Sequence, residues 1–407
     1  MRIVRFKYSF LYRNYMYIER EIKESFERVI KVYPVVALVG ARQAGKTTFL
    51  KEHSKSMNAS YLLFDDPDIR GLFEEDVKKF EKQYIEGFDV YILDEVQYCK
   101  NAGRNLKYLA DTGKKMWITS SSEMILSKEV LSYLVGRASV IKIYPLSIQE
   151  FLEAKKQKEL TKQMSERIVW EHITYGGYPK VVISEESELK KTILRDLYQT
   201  MVLKDIASTF SIVDINALEE FTKYLSLNIG NLISYDQIAK CLRISFQTIK
   251  KYMDAMEKSY LIFRVPPFYR NKNKEISKQP KIYFVDTGLK NLIAKSFSDE
   301  PDGKTFENYV ASEIIKSGFS LKHWRTKAKA EVDFIIEKEG ALIPVEVKIN
   351  SSGKMEKSLR SFIEEYKPRK AIIVSYKGER KKERINNCEV LFTDIVGLKK
   401  WISNNEG

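Results

Sequence analysis

Residues 35–48 read VVALVGARQAGKTT. Five apolar residues run into G-x-x-x-x-G-K-[ST], and a helical stretch follows. Strand, glycine loop and helix in that order form the setting in which this Walker A motif binds phosphate. Gly40 and Gly45 let the loop turn its N–H groups inward around phosphate oxygens. Ala41, Arg42, Gln43 and Ala44 complete the loop, and the positive end of the next helix adds to the attraction. Lys46 is expected to reach the β- and γ-phosphates and the Thr47 hydroxyl to ligate Mg²⁺, with Thr48 beside them. The expected ligands are ATP and Mg²⁺.

A Walker B candidate lies fifty residues on, in VYILDEVQ (90–97). Four apolar residues end in Asp94 and Glu95. Asp94, at a strand's C-terminal end, is expected to hold Mg²⁺ directly or through a water. Glu95 is placed to polarise the attacking water as general base. The plainer reading is that both only open a loop. MWITSSS (116–122) ends in hydroxyls: Ser120 or Ser121 either sits beside the γ-phosphate or caps a helix. Arg137 is a candidate arginine finger, in cis or from a neighbouring subunit in a homo-oligomer, or else an ordinary surface partner of a carboxylate.

Around these motifs, the short apolar runs VVALV (35–39), YLLF (61–64), VYILD (90–94), MWIT (116–119) and VIKIY (140–144) alternate with longer polar stretches. Such runs suit buried parallel strands in an α/β layered domain. Ile18, Ile22, Phe26, Val29 and Ile30 predict an amphipathic helix over 17–32, stopped by Pro34. Residues 150–225 read as mostly helical.

The bulk numbers set bounds. At 407 residues the chain has room for two to four domains. Its net charge of +14 favours an anionic partner, nucleic acid or a membrane surface, although a Lys-rich host gives the same balance. Three scattered cysteines and three histidines argue against a disulfide framework or a zinc site. No apolar run approaches membrane-spanning length, and the N-terminus lacks a signal-peptide h-region, so a cytoplasmic location is expected.

GARQAGKTT, YILDEVQ, the serine run and GRASVIKIYPLSIQEFL (136–152) together resemble a group of prokaryotic predicted ATPases with an AAA-superfamily P-loop domain and a C-terminal domain of uncharacterised function. The resemblance continues through YGGYPKVV (175–182), LYQTMVLKDI (197–206), YLIFRVPPF (260–268), KIYFVDTGL (281–289) and EVDFIIEKEGALIPVEVK (331–348). It implies a sheet in which another strand separates the P-loop strand from the Asp94 strand. Members of the group start near Met16, which makes 1–15 an extension or an unused upstream start.

Residues 234–268 have the rhythm of a helix-turn-helix and a wing. Ile238, Ala239, Leu242 and Ile244 would pack the first helix, and Ile249, Tyr252, Met253 and Met256 the second. Gln247, Thr248, Lys250 and Lys251 would face a DNA major groove. Arg264, Arg270, Lys272, Lys274, Lys278 and Lys281 against Glu275 make a basic stretch suited to phosphates. Winged helices also serve as protein-interaction modules.

In the last hundred residues, Asp333 lies in one strand of an expected hairpin and Glu346 and Lys348 lie in the other, turning at 338–340. Two apart in a strand, Glu346 and Lys348 face one side. This D…E-x-K pattern resembles the restriction-endonuclease-like fold. There Asp333 and Glu346 would bind metal, with Glu307 completing the shell, Lys348 orienting water, and Arg325, Lys327 and Lys329 gripping the substrate backbone. A salt bridge in a fold without catalysis is the simpler alternative.

The expected fold class is α/β: an N-terminal extension and helix (1–33), a P-loop NTPase three-layer αβα domain (34–152), a helical region (153–225), a winged-helix-like domain (226–300) and a restriction-endonuclease-like α/β domain (301–407). The expected function is that of an ATPase whose nucleotide state gates a DNA-binding or nuclease-like region. The alternative is an ATP-dependent switch that holds DNA or protein and cuts nothing.

Overall fold

The computed structural model describes residues 17–121, 130–155, 161–269, 279–351 and 353–403. The five apolar runs become β1 (Val35–Val39), β2 (Ala59–Leu63), β3 (Val90–Asp94), β4 (Met116–Ser120) and β5 (Ala138–Lys142). All pair in parallel in the order β2-β3-β4-β1-β5. β4 thus separates β1 from β3, as the resemblance implies. β1, β3 and β4 are buried along their whole length, which is why they read as continuous apolar runs rather than alternating ones. On one face Leu38, Ile92 and Trp117 pack with Phe26 and Phe49, and on the other Val39, Leu93 and Ile118 pack with Leu106 and Leu109. Parallel pairing puts all five C-terminal strand ends on one edge, so the P-loop, Asp94 and Ser120 converge there.

The N-terminal helix is shorter than expected, Lys23–Val29. Phe26 lies under the P-loop sheet, its ring centroid 5.0 Å from those of both Phe49 and Trp117. Ile18 belongs instead to a second core with Phe151, Tyr309 and Val345. Arg20 accounts for the difference: its guanidinium is drawn inward to three partners far along the chain. Residues 1–16 lie outside the described part.

Helices Ile148–Ala154, Lys162–Tyr175, Ser187–Thr200 and Ile215–Leu227 fill the helical region. Tyr235–Leu242 and Phe246–Lys258 follow, capped by Ser234 and Ser245 and joined through Arg243 at a φ of 53°. Ile238, Ile249, Tyr252, Met253 and Met256 are buried, and Gln247, Lys250 and Lys251 are exposed. β6 (Ile262–Val265) and β7 (Lys281–Phe284) form an antiparallel pair.

The C-terminal sheet has six strands, ordered β12-β13-β11-β10-β9-β8. They are β8 (Leu321–Arg325), β9 (Glu331–Lys338), β10 (Ala341–Asn350), β11 (Lys370–Lys377), β12 (Lys381–Ile385) and β13 (Cys388–Thr393). The expected hairpin is β9–β10. Its turn is Glu339–Gly340 alone, both at positive φ (49° and 82°), and Lys338 already pairs with Ala341. Positive φ at both turn residues suits the twist of a two-residue hairpin.

Two sequence motifs interlock where the helical region meets β7. A Cβ on Gly177 would stand 2.2 Å from the Leu146 carbonyl oxygen, and one on Gly288 2.1 Å from that of Tyr175. Asp286 accepts the Gly177 N–H (2.8 Å) across this contact and the Leu289 N–H (3.1 Å) of the helix it caps. Backbone meets backbone, so YGGYP and VDTGL need their glycines for space. Gly288→Ala is expected to cost at least the about 1–3 kcal/mol typical of overpacking. Gly303→Ala, where a Cβ meets nothing within 4 Å, should stay within about 0.5 kcal/mol. Urea denaturation of both variants checks this.

Candidate functional site

The P-loop is bent by its glycines. A Cβ on Gly40 would fall 1.9 Å from the Ile143 carbonyl oxygen, and Gly45 has a φ of +100° at the start of the Lys46–His53 helix. Lys46 is only 5% exposed, and its Nζ donates to the carbonyls of Gly40 (3.0 Å) and Ala41 (3.1 Å). Burial pulls its pKa down, against the fields of Glu95, Asp94 and Asp205. Thr48 is exposed on the helix.

Asp94 ends β3 facing Thr47. The Thr47 hydroxyl donates to its Oδ2 at 2.8 Å, the Tyr61 hydroxyl donates to the same oxygen at 2.6 Å, and Thr119 donates to Oδ1. With its proton turned to Asp94, Thr47 keeps oxygen lone pairs for a cation, so these residues fit Mg²⁺. Glu95 adopts a left-handed backbone (φ 62°), its N–H donating to Thr119 Oγ1 at 3.0 Å. Gln97 Nε2 donates to the Glu95 carboxylate and also to Ser121 Oγ (3.1 Å). Ser121 therefore belongs to the surroundings of Glu95. Ser120 is buried, and its carbonyl receives the Gly40 N–H at 3.4 Å.

Arg137 stands at the other end of the sheet. Its carbonyl receives the N–H of Val35, the first residue of β1, and its guanidinium pairs with Asp111 at 2.5 Å. A finger in cis on its own P-loop is ruled out by that position; the surface ion pair is what forms.

Three residues that sequence reasoning left without a role border the P-loop. Buried Arg20 donates to the Ala44 carbonyl (2.8 Å), the Tyr144 carbonyl (2.6 Å) and Glu150 (2.9 Å). Asp205 accepts Arg42 at 2.6 Å. The Pro179 ring lies 3.8 Å from where a Cβ on Gly45 would be. The available signals were the YGGYP and LYQTMVLKDI motifs, and an arginine among the apolar positions of residues 18–30.

The C-terminal constellation is partly as expected. Glu346 and Lys348 face one side and pair at 2.9 Å, and Lys348 also holds Glu356 at 2.6 Å. The β9–β10 register runs from Ala341↔Lys338 to Val345↔Phe334; beyond it, the Val347 N–H goes to Asp333 Oδ2 (2.8 Å). The ladder therefore yields to a side chain where Asp333 and Glu346 meet. Burial, with Glu307 nearby, raises the Asp333 pKa to about 6. Burial and the Asp333 charge raise Glu346 to about 8, and its Oε2 is buried without a partner.

Glu307 departs from the expected role. Its carboxylate is taken by Lys281 (3.1 Å), Lys304 (2.9 Å) and the Tyr283 hydroxyl. Among the described residues no group of three or more His, Cys, Asp or Glu side chains is arranged to hold a metal ion. The expected three-carboxylate shell is therefore not assembled, and Asp333 and Glu346 remain as a pair. Lys281, read as part of a basic loop, is 1% exposed and also bridges to Glu331 at 2.6 Å. Arg264 is bound to Asp254 (2.9 Å) and Glu257 (2.7 Å). Arg270, Lys272, Lys274 and Lys278 lie outside the described residues. Arg325 reaches Glu331 at 3.7 Å, and Lys327 and Lys329 are exposed.

Three stretches of the chain match known family models. Residues 32–152 match an AAA domain, 166–300 a domain of unknown function (DUF8612) and 302–395 another domain of unknown function (DUF4143). The chain thus carries an AAA-type P-loop domain with a DUF4143 domain at its C-terminal side. An uncharacterized protein of Haemophilus influenzae is 28% identical over 337 residues, 77% of this chain and 82% of its own. The uncharacterized protein MJ1544 of Methanocaldococcus jannaschii is 29% identical over 403 residues, 91% and 89% of the two chains. Among solved structures, the Walker-type ATPase PABY2304 of Pyrococcus abyssi aligns with a TM-score of 0.48 at 12% identity, over 68% of this chain and 96% of that one. AMPPCP-bound DnaA of Aquifex aeolicus aligns with a TM-score of 0.28 at 14% identity, over 59% and 86%. No helix among the described residues is long and apolar enough to cross a membrane.

The raised carboxyls give a pH dependence. In the unfolded chain Glu346 loses its proton near the usual pKa of about 4.3. In the fold it keeps the proton to about 8, and Asp333 keeps its own to about 6. The folded state binds more protons across that window, so stability falls as pH rises through it. Glu346→Gln should remove much of the fall: wild-type stability relative to the variant is expected to decline from about pH 5 to about pH 8. Denaturant unfolding at several pH values measures it, and a flat difference would contradict the assignment.

Proposed function

We propose that the protein hydrolyses ATP at the P-loop and that the nucleotide state is transmitted to the C-terminal carboxylate pair. The observation that carries the first part is the meeting of Lys46, Thr47, Asp94 and Glu95 on one sheet edge, with the Thr47 hydroxyl bonded to Asp94 at 2.8 Å. The loop N–H groups and Lys46 bind the phosphates. Thr47 and Asp94 would hold Mg²⁺, which supplies charge neutralisation at the β- and γ-oxygens. Glu95, oriented by Gln97, takes a proton from the water that attacks the γ-phosphorus. The bond to the β,γ-bridging oxygen breaks, and ADP leaves with that electron pair.

Transmission rests on a chain of hydrogen bonds carried onward by one helix. Ala44 in the P-loop is bonded to Arg20 and Arg20 to Glu150. Glu150 accepts the N–H of Ser147, and Glu313 accepts the neighbouring N–H of Ile148 at 2.9 Å. Glu313 and Glu307 lie on one helix, Gly303–Lys316, and Glu307 contributes to the field at Asp333. Glu95→Gln is expected to lower the rate of phosphate release by about 10²-fold or more while ATP binding persists. Phosphate release and equilibrium dialysis with labelled ATP check the two parts. An unchanged rate would remove Glu95 from the mechanism.

A second reading, that Asp333, Glu346 and Lys348 form a restriction-endonuclease-like site acting on DNA held by the winged-helix-like segment, is favoured by the open ladder and the unpartnered Glu346 Oε2. The two carboxylates would hold a divalent ion and Lys348 would orient water. This reading predicts ATP-sensitive cleavage of DNA in Mg²⁺, abolished by Asp333→Asn, with binding that falls steeply with salt. Salt-sensitive binding without cleavage in the wild type would favour the ATP-dependent switch; no retention on DNA at physiological salt would point to a protein partner.

A further inference from the structure

We propose that Arg42 is a γ-phosphate-contacting residue of the nucleotide site and that Asp205 holds it away until ATP arrives. The inference rests on the reading of the P-loop as an ATP site and gives its charge a regulator. Arg42 is the second of the four residues between Gly40 and Gly45. A side chain rooted in the loop whose backbone cradles the phosphates starts within reach of them. Its guanidinium instead lies on Asp205, 163 residues further along the chain, at 2.6 Å.

The pair also acts on the residue expected at the β- and γ-phosphates. Asp205 and Arg42 both act electrostatically on Lys46, in opposite directions. Tyr98 lies in the electrostatic fields of both Arg42 and Glu95, the proposed base. Lys46, Arg42 and Asp205 therefore lie within one another's electrostatic reach around the loop expected to cradle the phosphates. Phosphate oxygens can take the guanidinium in the same two-pronged manner as a carboxylate, so ATP competes with Asp205 for Arg42, while ADP, lacking the γ-phosphate, does not.

Asp205 also sits on unusual backbone. The helix Ser187–Thr200 runs into a π-helical turn, Met201–Ala207, that carries it. Such turns cost regular hydrogen bonding and recur at functional sites. A tether alone has little call for one, because a shared apolar core already joins the P-loop domain to the helical region. Once on the γ-phosphoryl group, Arg42 would neutralise charge developing in the transition state, the part an arginine finger plays elsewhere. It would do so in cis, from the P-loop, where Arg137 stands too far away.

The experiment compares ATP and ADP affinity and phosphate release for wild type, Arg42→Ala, Arg42→Lys, Asp205→Asn and the double variant Arg42→Ala/Asp205→Asn, all full length, with thermal unfolding of each. Arg42→Ala should lower kcat by about 10²-fold or more and weaken ATP while leaving ADP affinity unchanged. Asp205→Asn should move the other way, tightening ATP over ADP, and the double variant should follow Arg42→Ala. Arg42→Lys should retain part of the ATP preference, and with Asp205→Asn it decides the matter if Arg42→Ala does not fold. An ion pair that only ties two segments predicts equal losses for Arg42→Ala and Asp205→Asn with no change in the ATP-to-ADP ratio, and that result overturns the proposal. Normal ATP turnover in Arg42→Ala overturns it while leaving the ATPase reading intact; a wild type that binds no ATP overturns both.

Discussion

The guanidinium of Arg20 is buried at 6% exposure among the Ala44 carbonyl, the Tyr144 carbonyl and Glu150. A charge so far from water is tolerable only because every partner is in place. Arg20 belongs to the segment before the first helix, Ala44 to the P-loop, and Tyr144 and Glu150 to the exit from the parallel sheet. One side chain therefore ties the P-loop to the exit from its own sheet. Glu150 is shared with the capping box that starts the Ile148–Ala154 helix, and Glu313 from the C-terminal domain completes that same helix end. The site that would bind phosphate and the core that carries Asp333 are consequently built on common supports.

The C-terminal carboxylates show a different use of burial. Glu307 is buried too, yet Lys281 and Lys304 outweigh the loss of water and hold it ionised below its usual pKa. Glu346, two strands away in sequence, has Lys348 on one oxygen and nothing on the other, and goes the opposite way. Asp333 is coupled by charge to both, and carboxyls with divergent environments are what acid–base or cation chemistry needs. Lys281 comes from β7, outside the C-terminal sheet, so the strand after the helix pair contributes to the electrostatics of that site.

The sequence was most legible where local pattern carries the information. The strands β1, β3 and β4 are apolar because they are covered on both faces, and the G-x-x-x-x-G-K-T loop is confined by steric need at Gly40 and Gly45. The β9–β10 hairpin was readable from the expected turn at 338–340, which the fold narrows to its last two residues, and from the alternation that puts Glu346 and Lys348 together. What could not be read is which distant surface a charged side chain meets. Arg20 to Glu150 and Arg42 to Asp205 span 130 and 163 residues, and no periodicity encodes such pairs. Lys281 looked like one more cation in a basic stretch, and only the fold buries it between Glu307 and Glu331. β8 and β12 went unseen because LKHWR and KKERI are half polar or more, as strands at a sheet's edge are.

The measurement that tests the account most directly is phosphate release from ATP by the purified wild-type chain in Mg²⁺, set beside Lys46→Ala. The account predicts multiple turnovers for the wild type and loss of turnover together with weakened ATP binding in the variant, since Lys46 stands at the loop's helix end, where the motif puts its phosphate-binding lysine. Equal phosphate release by the two proteins, or no ATP binding by the wild type, would contradict it.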